Sequence, residues 1–295
     1  MKIPVAVMSF DRPHYLEAVL QTALRQKGFG RFEPVFYLFQ DGAVSPRTGT
    51  VYGNPDKMPE SVEVFRKYVP DGIVIDSKVN LGVALNFDRA ERVLFEEKAY
   101  EAAIFLEDDM LLQPHYFATM AQLMEFAFRR DDIGMFAAYG FRKSTPLAEQ
   151  RARAHEICLM DEHNWAFGIT RRAWIARDSV VRHYLDLISD LDYRSRGDRN
   201  NQIKGLQRAL GRGGRGYLTS QDSMKNMACE VLGIHRINTF TNNARYIGKV
   251  GEHSTEERFK AAGHAASVLY DRPHGDFELP SSEALRHMRV GLANR

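Results

Sequence analysis

The sequence predicts an α/β fold, a mostly parallel sheet flanked by helices with an irregular C-terminal region. Three observations carry that prediction. Over the first 140 residues, short apolar runs alternate with segments of helical periodicity about five times, which is the pattern of a parallel sheet covered on both faces. One of those runs, Ala103-Ile104-Phe105-Leu106, ends abruptly in Glu107-Asp108-Asp109. Polar groups also close the first two strands, at Asp11-Arg12 and at Asp41. Charged side chains therefore gather at the carboxyl ends of strands, where open α/β sheets bind their ligands.

Val5 to Ser9 reads as the first strand. Asp11 is placed to cap the next helix, with Pro13 in its first turn. Leu16, Val19, Leu20, Ala23 and Leu24 mark one face of that helix, and Gly28 stops it. Val35 to Phe39 is the second strand, and residues 43–60 a loop rich in Ser, Pro, Gly, Thr and Asn. Ser61 to Tyr68 is a short helix and Gly72 to Asp76 a third strand. Asn80-Leu81-Gly82 opens a helix with Val83, Phe87, Ala90 and Leu94 on one face. After the Ala103–Leu106 strand, Phe117, Met120, Met124, Ala127 and Phe128 mark a helix, and Ile133 to Ala138 a strand.

Beyond Gly140 the pattern loosens. Residues 141–160 read as loop with some helix, and Asn164 to Ile169 as a short aromatic strand. Thr170 caps a helix carrying Trp174, and Val181, Tyr184, Leu185 and Ile188 mark another. Residues 194–216 are basic and glycine-rich, and read as a mobile loop. Met224, Met227, Ala228, Val231 and Leu232 fit a helix stopped by Gly233. Thr239 to His253 is polar and irregular, and a terminal helix starts near Ser282.

The 295 residues are 44% hydrophobic and 26% charged, the composition of a soluble globular protein. Forty basic and 38 acidic residues leave a net charge of +2, which gives no support for generic nucleic-acid binding. Cys158 and Cys229 are too few for a disulfide framework or a thiolate metal site. The chain enters its first strand at once, without a signal-peptide region. No apolar run approaches the ~18 residues of a membrane span. A cytoplasmic location is therefore expected, with Arg194 to Arg215 able to draw the protein to the anionic face of the inner membrane.

Three acids at the tip of an apolar strand cannot be buried unpaired, since desolvation would cost several kcal/mol each. They can be a solvated loop start, or they can hold Mg²⁺ or Mn²⁺ together with substrate phosphates. Neither a G-x-G-x-x-G fingerprint nor a G-x-x-x-x-G-K-[ST] loop is present, so phosphates would need a metal as anchor. C-x-x-C and H-E-x-x-H are absent as well.

Four stretches, in order, carry a resemblance. They are Val7-Met8-Ser9-Phe10-Asp11-Arg12, Phe39-Gln40-Asp41-Gly42, Phe105-Leu106-Glu107-Asp108-Asp109 with Pro114-His115-Tyr116-Phe117, and Asn164-Trp165-Ala166-Phe167-Gly168 through Trp174. Together they resemble the GT-A fold glycosyltransferases, in particular the N-acetylglucosaminyltransferase I-type (family 13-like) enzymes and the family-2 transferases. The match covers roughly residues 3–192. It implies glycosyl transfer from a nucleotide sugar, UDP-linked, to a hydroxyl of a glycan or lipid-linked acceptor, with Mn²⁺ or Mg²⁺. It also implies residues 1–140 as the nucleotide-sugar half with the E-D-D metal motif, and residues 141–295 as the acceptor and lid half of the same domain.

By that resemblance Asp109 is the direct metal ligand, with Glu107 and Asp108 on the donor sugar and ribose. Arg12 and Asp41 hold the nucleotide. An inverting mechanism needs a carboxylate to take the acceptor proton. Asp192, in Ser189-Asp190-Leu191-Asp192-Tyr193-Arg194, is the first choice, Asp190 the second and Asp222 the third. Gly248-Lys249-Val250-Gly251-Glu252-His253 adds a glycine pair that lets backbone approach a diphosphate, with Lys249 for phosphate and His253 for the metal. Arg245 and Tyr246 form part of the same lid. His163 and Trp165 line the acceptor side. Two other functions compete: a sugar-1-phosphate nucleotidyltransferase, and a non-catalytic sugar-nucleotide or glycan-binding module.

Overall fold

The computed structural model describes residues 1–140, 142–160, 164–212, 218–251 and 255–293. The strands are β1 Lys2–Ser9, β2 Glu33–Gln40, β3 Ile73–Asp76, β4 Ala102–Glu107, β5 Met110–Leu112, β6 Ile133–Ala137, β7 Ile157–Leu159, β8 Phe167–Thr170, β9 His235–Thr239 and β10 Ala244–Tyr246. The helices are α1 Pro13–Leu24, α2 Lys57–Tyr68, α3 Gly82–Arg92, α4 Tyr116–Arg129, α5 Leu147–Ala152, α6 Arg171–Ser189, α7 Asn200–Ala209, α8 Gln221–Val231, α9 Glu256–Ala261 and α10 Ser282–Ala293. Among the described residues no helix is long and apolar enough to cross a membrane.

The architecture is the predicted α/β one. A central sheet runs β3-β2-β1-β4-β8-β6-β9-β7, and a two-stranded ribbon pairs β5 with β10. From β3 to β4 every pairing is parallel. The far half is mixed, because β8 runs antiparallel to both β4 and β6. The two halves of the chain share this one sheet.

Alternation along each central strand fills both faces. Val5 and Val7 of β1 pack with Leu16 and Leu20 of α1 and with Phe117 and Met120 of α4. Ala6 and Met8 face the other way, toward Phe87 of α3 and Trp174 of α6. Each fully buried Leu or Phe contributes about 1.5–3 kcal/mol. A further layer joins α6, α7 and α8 through Leu185, Ile188, Ile203 and Met224.

Several expectations are corrected. Arg12, not Asp11, is the N-cap residue of α1, and no side chain caps that helix. Asp11 instead accepts from the Asn54 N–H at 3.2 Å. Pro13 opens α1 as predicted. Helix α2 begins at Lys57, inside the predicted loop. The two helices expected after Thr170 are the single helix α6, and Thr170 does cap it by accepting from the Ala173 N–H. The predicted mobile loop contains a 3₁₀ turn at Tyr193–Arg199 and then α7. Strands β5, β7, β9 and β10 are not among the predicted strands, and β7 lies in the stretch read as loop with some helix. Polar β9 can be buried because its side chains find partners, as Asn238 Nδ2 does at the Gly140 carbonyl, 2.9 Å away.

Candidate active site

Strand β4 delivers Glu107 to the carboxyl edge of the sheet, and Asp108-Asp109 turn the chain into β5. β5 then pairs antiparallel with β10, Met110 opposite Tyr246. That ribbon draws residues 244–251 over the acids. The Ile247 N–H donates to the Asp109 carbonyl at 2.8 Å. Gly248 is required by this closeness, since a Cβ there would stand 2.5 Å from Asp109 Oδ2. A Cβ on Gly251 would lie 3.2 Å from Arg12 Nη1. The glycine pair thus admits the backbone to Asp109 and Arg12.

Arg12, at the start of α1, forks onto the acid pair. It bonds Asp108 Oδ1 through Nη2, and its Nη1 is 2.7 Å from Asp109 Oδ2. Burial alone would favour the neutral guanidine, but Asp108 and Asp109 reverse this and raise its pKa further. Burial pushes the Asp109 carboxyl up to about 6 against the pull of Arg12. Burial also raises Asp108, again opposed by Arg12. Glu107 is raised well above the usual carboxylate range by burial, then by the charges of Asp109 and Asp222. The cluster carries more negative charge than one guanidinium balances.

The donor set fits a hard divalent cation. Asp108 Oδ2 and Asp109 Oδ1 are buried and find no hydrogen-bond partner among the described residues. Orphaned carboxylate oxygens at a cleft wall are costly unless something cationic meets them. No group of three His, Cys, Asp or Glu side chains is arranged as a complete cage among the described residues. Asp108 and Asp109 are the residues that could hold such a cation, as one or two carboxylates do for Mg²⁺ or Mn²⁺ when water and phosphate complete the shell.

Asp41 follows β2 and closes onto the start of α3. One oxygen accepts from the Gly42 and Leu81 N–H groups at 2.9 and 2.8 Å, and the other from the Gly82 N–H at 2.9 Å. Burial raises its pKa, and these three amides partly offset the rise. Asp41 lines the cleft, and in this arrangement it anchors the cleft wall.

The three candidate bases separate clearly. Asp192 caps the 193–199 turn by accepting from the Arg194 N–H, and it also accepts from the Thr48 hydroxyl. Hydrogen bonds from Ser45 and Thr48 lower its pKa. Asp190 is exposed and pairs with Arg199 at 3.1 Å. Neither lines the cleft. Asp222 does, from the first turn of α8. There Ser220 caps the helix, Asn164 Nδ2 lies 3.3 Å from Asp222 Oδ1, and the Asp222 charge reaches Glu107. Of the three, Asp222, the third choice from sequence, is the one that lines the cleft together with the acids.

Trp165 stacks on Tyr246, with ring centroids 5.2 Å apart and planes at 8°. Ala166 takes φ +42°, in the left-handed region. That turn separates Trp165, against Tyr246, from Phe167, in the sheet. His264 lies 4.8 Å from Tyr246 and 5.5 Å from Trp165, and Phe259 completes the cluster. Sequence reading missed Phe259 and His264, which carry no local motif. Lys249 is exposed and does not line the cleft, and its N–H reaches the Tyr15 hydroxyl at 3.2 Å. His163 and His253 lie outside the described residues.

The acids, Arg12, Asp41, Asp222 and the aromatic platform line one cleft of ≈ 1680 Å³. That exceeds the ~300–1,000 Å³ of a single small-molecule site, and leaves room for two substrates.

No family model matches this sequence, and no curated protein matches it. Among solved structures, the chain is similar to S. aureus TarS 1-349, at 14% identity over 98% of this chain and 65% of that one, with TM-score 0.40. It is similar to the same protein in complex with UDP (13%, 79% and 71%, TM-score 0.43) and with UDP-GlcNAc (14%, 60% and 48%, TM-score 0.38). The chain spans 30%, 48% and 65% of the lengths of three of these TarS chains.

Proposed function

We propose that this chain is a metal-dependent, inverting glycosyltransferase that moves a sugar from a UDP-linked donor to a hydroxyl of a glycan or lipid-linked acceptor. The observation that carries the reading is the pair of orphaned oxygens on Asp108 and Asp109, set in one cleft opposite Asp222. When bound, a divalent cation supplies Lewis-acid stabilisation of the leaving diphosphate. Asp109 is its direct ligand in this reading, and Asp108 supports it. Arg12 turns from the carboxylates to the donor phosphates. Asp222 accepts the proton of the acceptor hydroxyl as it attacks the anomeric carbon from the far face. Trp165 and Tyr246 give the acceptor sugar an apolar face to stack on.

The test is thermal stabilisation by a nucleotide panel with and without Mn²⁺, on the parent and on Asp109→Asn. A ligand at 100 times its Kd raises stability by about 2.7 kcal/mol. UDP with Mn²⁺ is expected to shift the parent and not the variant. No shift with any nucleotide would sink the reading, and release of pyrophosphate from a sugar-1-phosphate and UTP would replace it with nucleotidyl transfer.

Arg12 holds Asp108 Oδ1 and Asp109 Oδ2, so it and a cation on the two remaining oxygens would share, and compete for, the charge of the same two carboxylates. Arg12→Gln is therefore expected to tighten Mn²⁺ binding in the absence of nucleotide by about tenfold, or 1.4 kcal/mol. It is also expected to weaken UDP. Mn²⁺ titration followed by electron paramagnetic resonance checks the first part, and an unchanged Mn²⁺ affinity would show that the ion pair does not guard the site.

A further inference from the structure

Asn164 directly precedes Trp165, is 4% exposed, and does not itself line the cleft. Both ends of its side chain are engaged. Its Oδ1 accepts from Arg236 Nη1 at 3.1 Å, and its Nδ2 donates to Asp222 Oδ1 at 3.3 Å. An ionised carboxylate only accepts and a guanidinium only donates, so an amide between them has one favourable orientation. Turned over, it would set its oxygen against the carboxylate and its NH₂ against the guanidinium. Arg236 therefore decides which end of Asn164 meets Asp222.

Arg236 is firmly placed. It is the second residue of β9, opposite Met135 of β6. Its carbonyl accepts from the Met160 N–H at 2.8 Å, and its Nη2 donates to the Met160 carbonyl at 3.3 Å. The guanidinium is thus tied to the main chain just after β7 while its other nitrogen serves Asn164. The far end of the relay is anchored as well. Asp222 lies in the first turn of α8, where the Ser220 hydroxyl caps the helix by accepting from the Ser223 N–H. Arg236 and Asp222 both line the cleft.

We infer that Arg236, acting through Asn164, is a positioning residue that aims Asp222 at the acceptor hydroxyl. The Asn164 bond takes Asp222 Oδ1 and leaves Oδ2 for the proton. An unrestrained carboxylate side chain samples several rotamers. Misplacing a reacting group by about 1 Å can cost roughly 10²-fold in rate. Hydrogen bonds in a chain also polarise one another, by roughly 10–30% per bond. Loss of Arg236 therefore weakens the Asn164–Asp222 bond even where Asn164 keeps its place. The role in sugar transfer rests on the glycosyltransferase reading above; the hold of Arg236 on Asn164 does not.

The test joins single-turnover transfer in Arg236→Gln, Asp222→Asn and the double variant to ¹H–¹⁵N spectra of the Asn164 side chain, assigned by their loss in Asn164→Ala. Arg236→Gln is expected to slow transfer roughly 10–10²-fold, with the donor KM and the UDP–Mn²⁺ thermal shift unchanged. In the Asp222→Asn background the same change is expected to cost less than about twofold, because a residue that acts only through Asp222 has nothing left to aim. A merely structural tie would slow both backgrounds alike. The Asn164 amide signals are expected to move in Arg236→Gln and in Asp222→Asn. Should Arg236→Gln fail to fold, Arg236→Lys takes its place in the cycle: it keeps a donor for Asn164 but not the fork onto Met160, and a smaller loss confined to the Asp222 background is expected. Transfer at the parent's rate, equal losses in both backgrounds, or Asn164 signals unmoved by the Arg236 change would each overturn the proposal. If the glycosyltransferase reading alone is wrong, the parent transfers no sugar and UDP gives no shift, while the Asn164 signals still move in both variants.

Discussion

Asp222→Asn is expected to slow sugar transfer about 10³-fold and to leave donor binding intact. The magnitude follows from the usual contribution of a positioned general base, roughly 10²–10⁴-fold. Asp222 is the candidate base that lines the cleft, across from Glu107. Its hydrogen bond from Asn164 fixes which oxygen stays open. Asparagine keeps the shape and can still meet the Asn164 side chain after an amide flip, so the fold should hold. Asp192→Asn is the matched control. Asparagine is as good an N-cap as aspartate, and its side-chain oxygen can still accept from the Arg194 N–H, so stability should change little, while the transfer rate stays near the parent's. Single-turnover transfer measured beside the UDP–Mn²⁺ thermal shift separates the two. If Asp192→Asn stops transfer and Asp222→Asn does not, the base is wrongly placed here.

The contrast between Asp192 and Asp222 shows how far a sequence can be read. Glu107, Asp108 and Asp109 were legible because an apolar run ending in acids has few places to go. The strands β1, β2 and β4 were legible for the same reason, as runs of buried residues. Asp192 was chosen on its neighbour Tyr193, a one-dimensional likeness. In space the two part company: Tyr193 lines the cleft, and Asp192 turns to Ser45, Thr48 and the Arg194 N–H. Nothing local could reveal that α8, rather than the 190–194 segment, meets the acids. That depends on long-range packing of α8 against α6 and α3. Strand β9 was illegible on other grounds. Its burial relies on paired polar side chains, which carry no hydrophobic period. The reach of Tyr246 to Trp165 likewise follows from β5–β10 pairing, between segments far apart in the chain.

The packing that sets Asp222 in place has its own expected result: Glu91→Gln should destabilise the protein by about 3–5 kcal/mol. Glu91 on α3 is 3% exposed, and its Oε1 lies 2.7 Å from both Arg177 of α6 and Lys225 of α8. Those two cations are 1% and 2% exposed. Burial by itself would raise the Glu91 pKa, yet Arg177 and Lys225 overcome it and hold the carboxyl at about 2. Removing the one anion leaves two cations in a medium that solvates neither. Because the folded pKa lies below the ordinary value of 4.5, the stabilisation is complete above about pH 4.5. It fades as the pH falls toward 2 and Glu91 takes a proton. Parent and Glu91→Gln should therefore differ most at neutral pH and converge in acid, which urea unfolding across that range measures. The triple change Glu91→Met, Arg177→Met, Lys225→Met should recover much of the loss, since an apolar replacement of a whole buried cluster is often neutral or better. If Glu91→Gln alone is neutral at pH 7, the triad does not hold α8, and Asp222 owes its position to the apolar contacts of Met224 and Ala228.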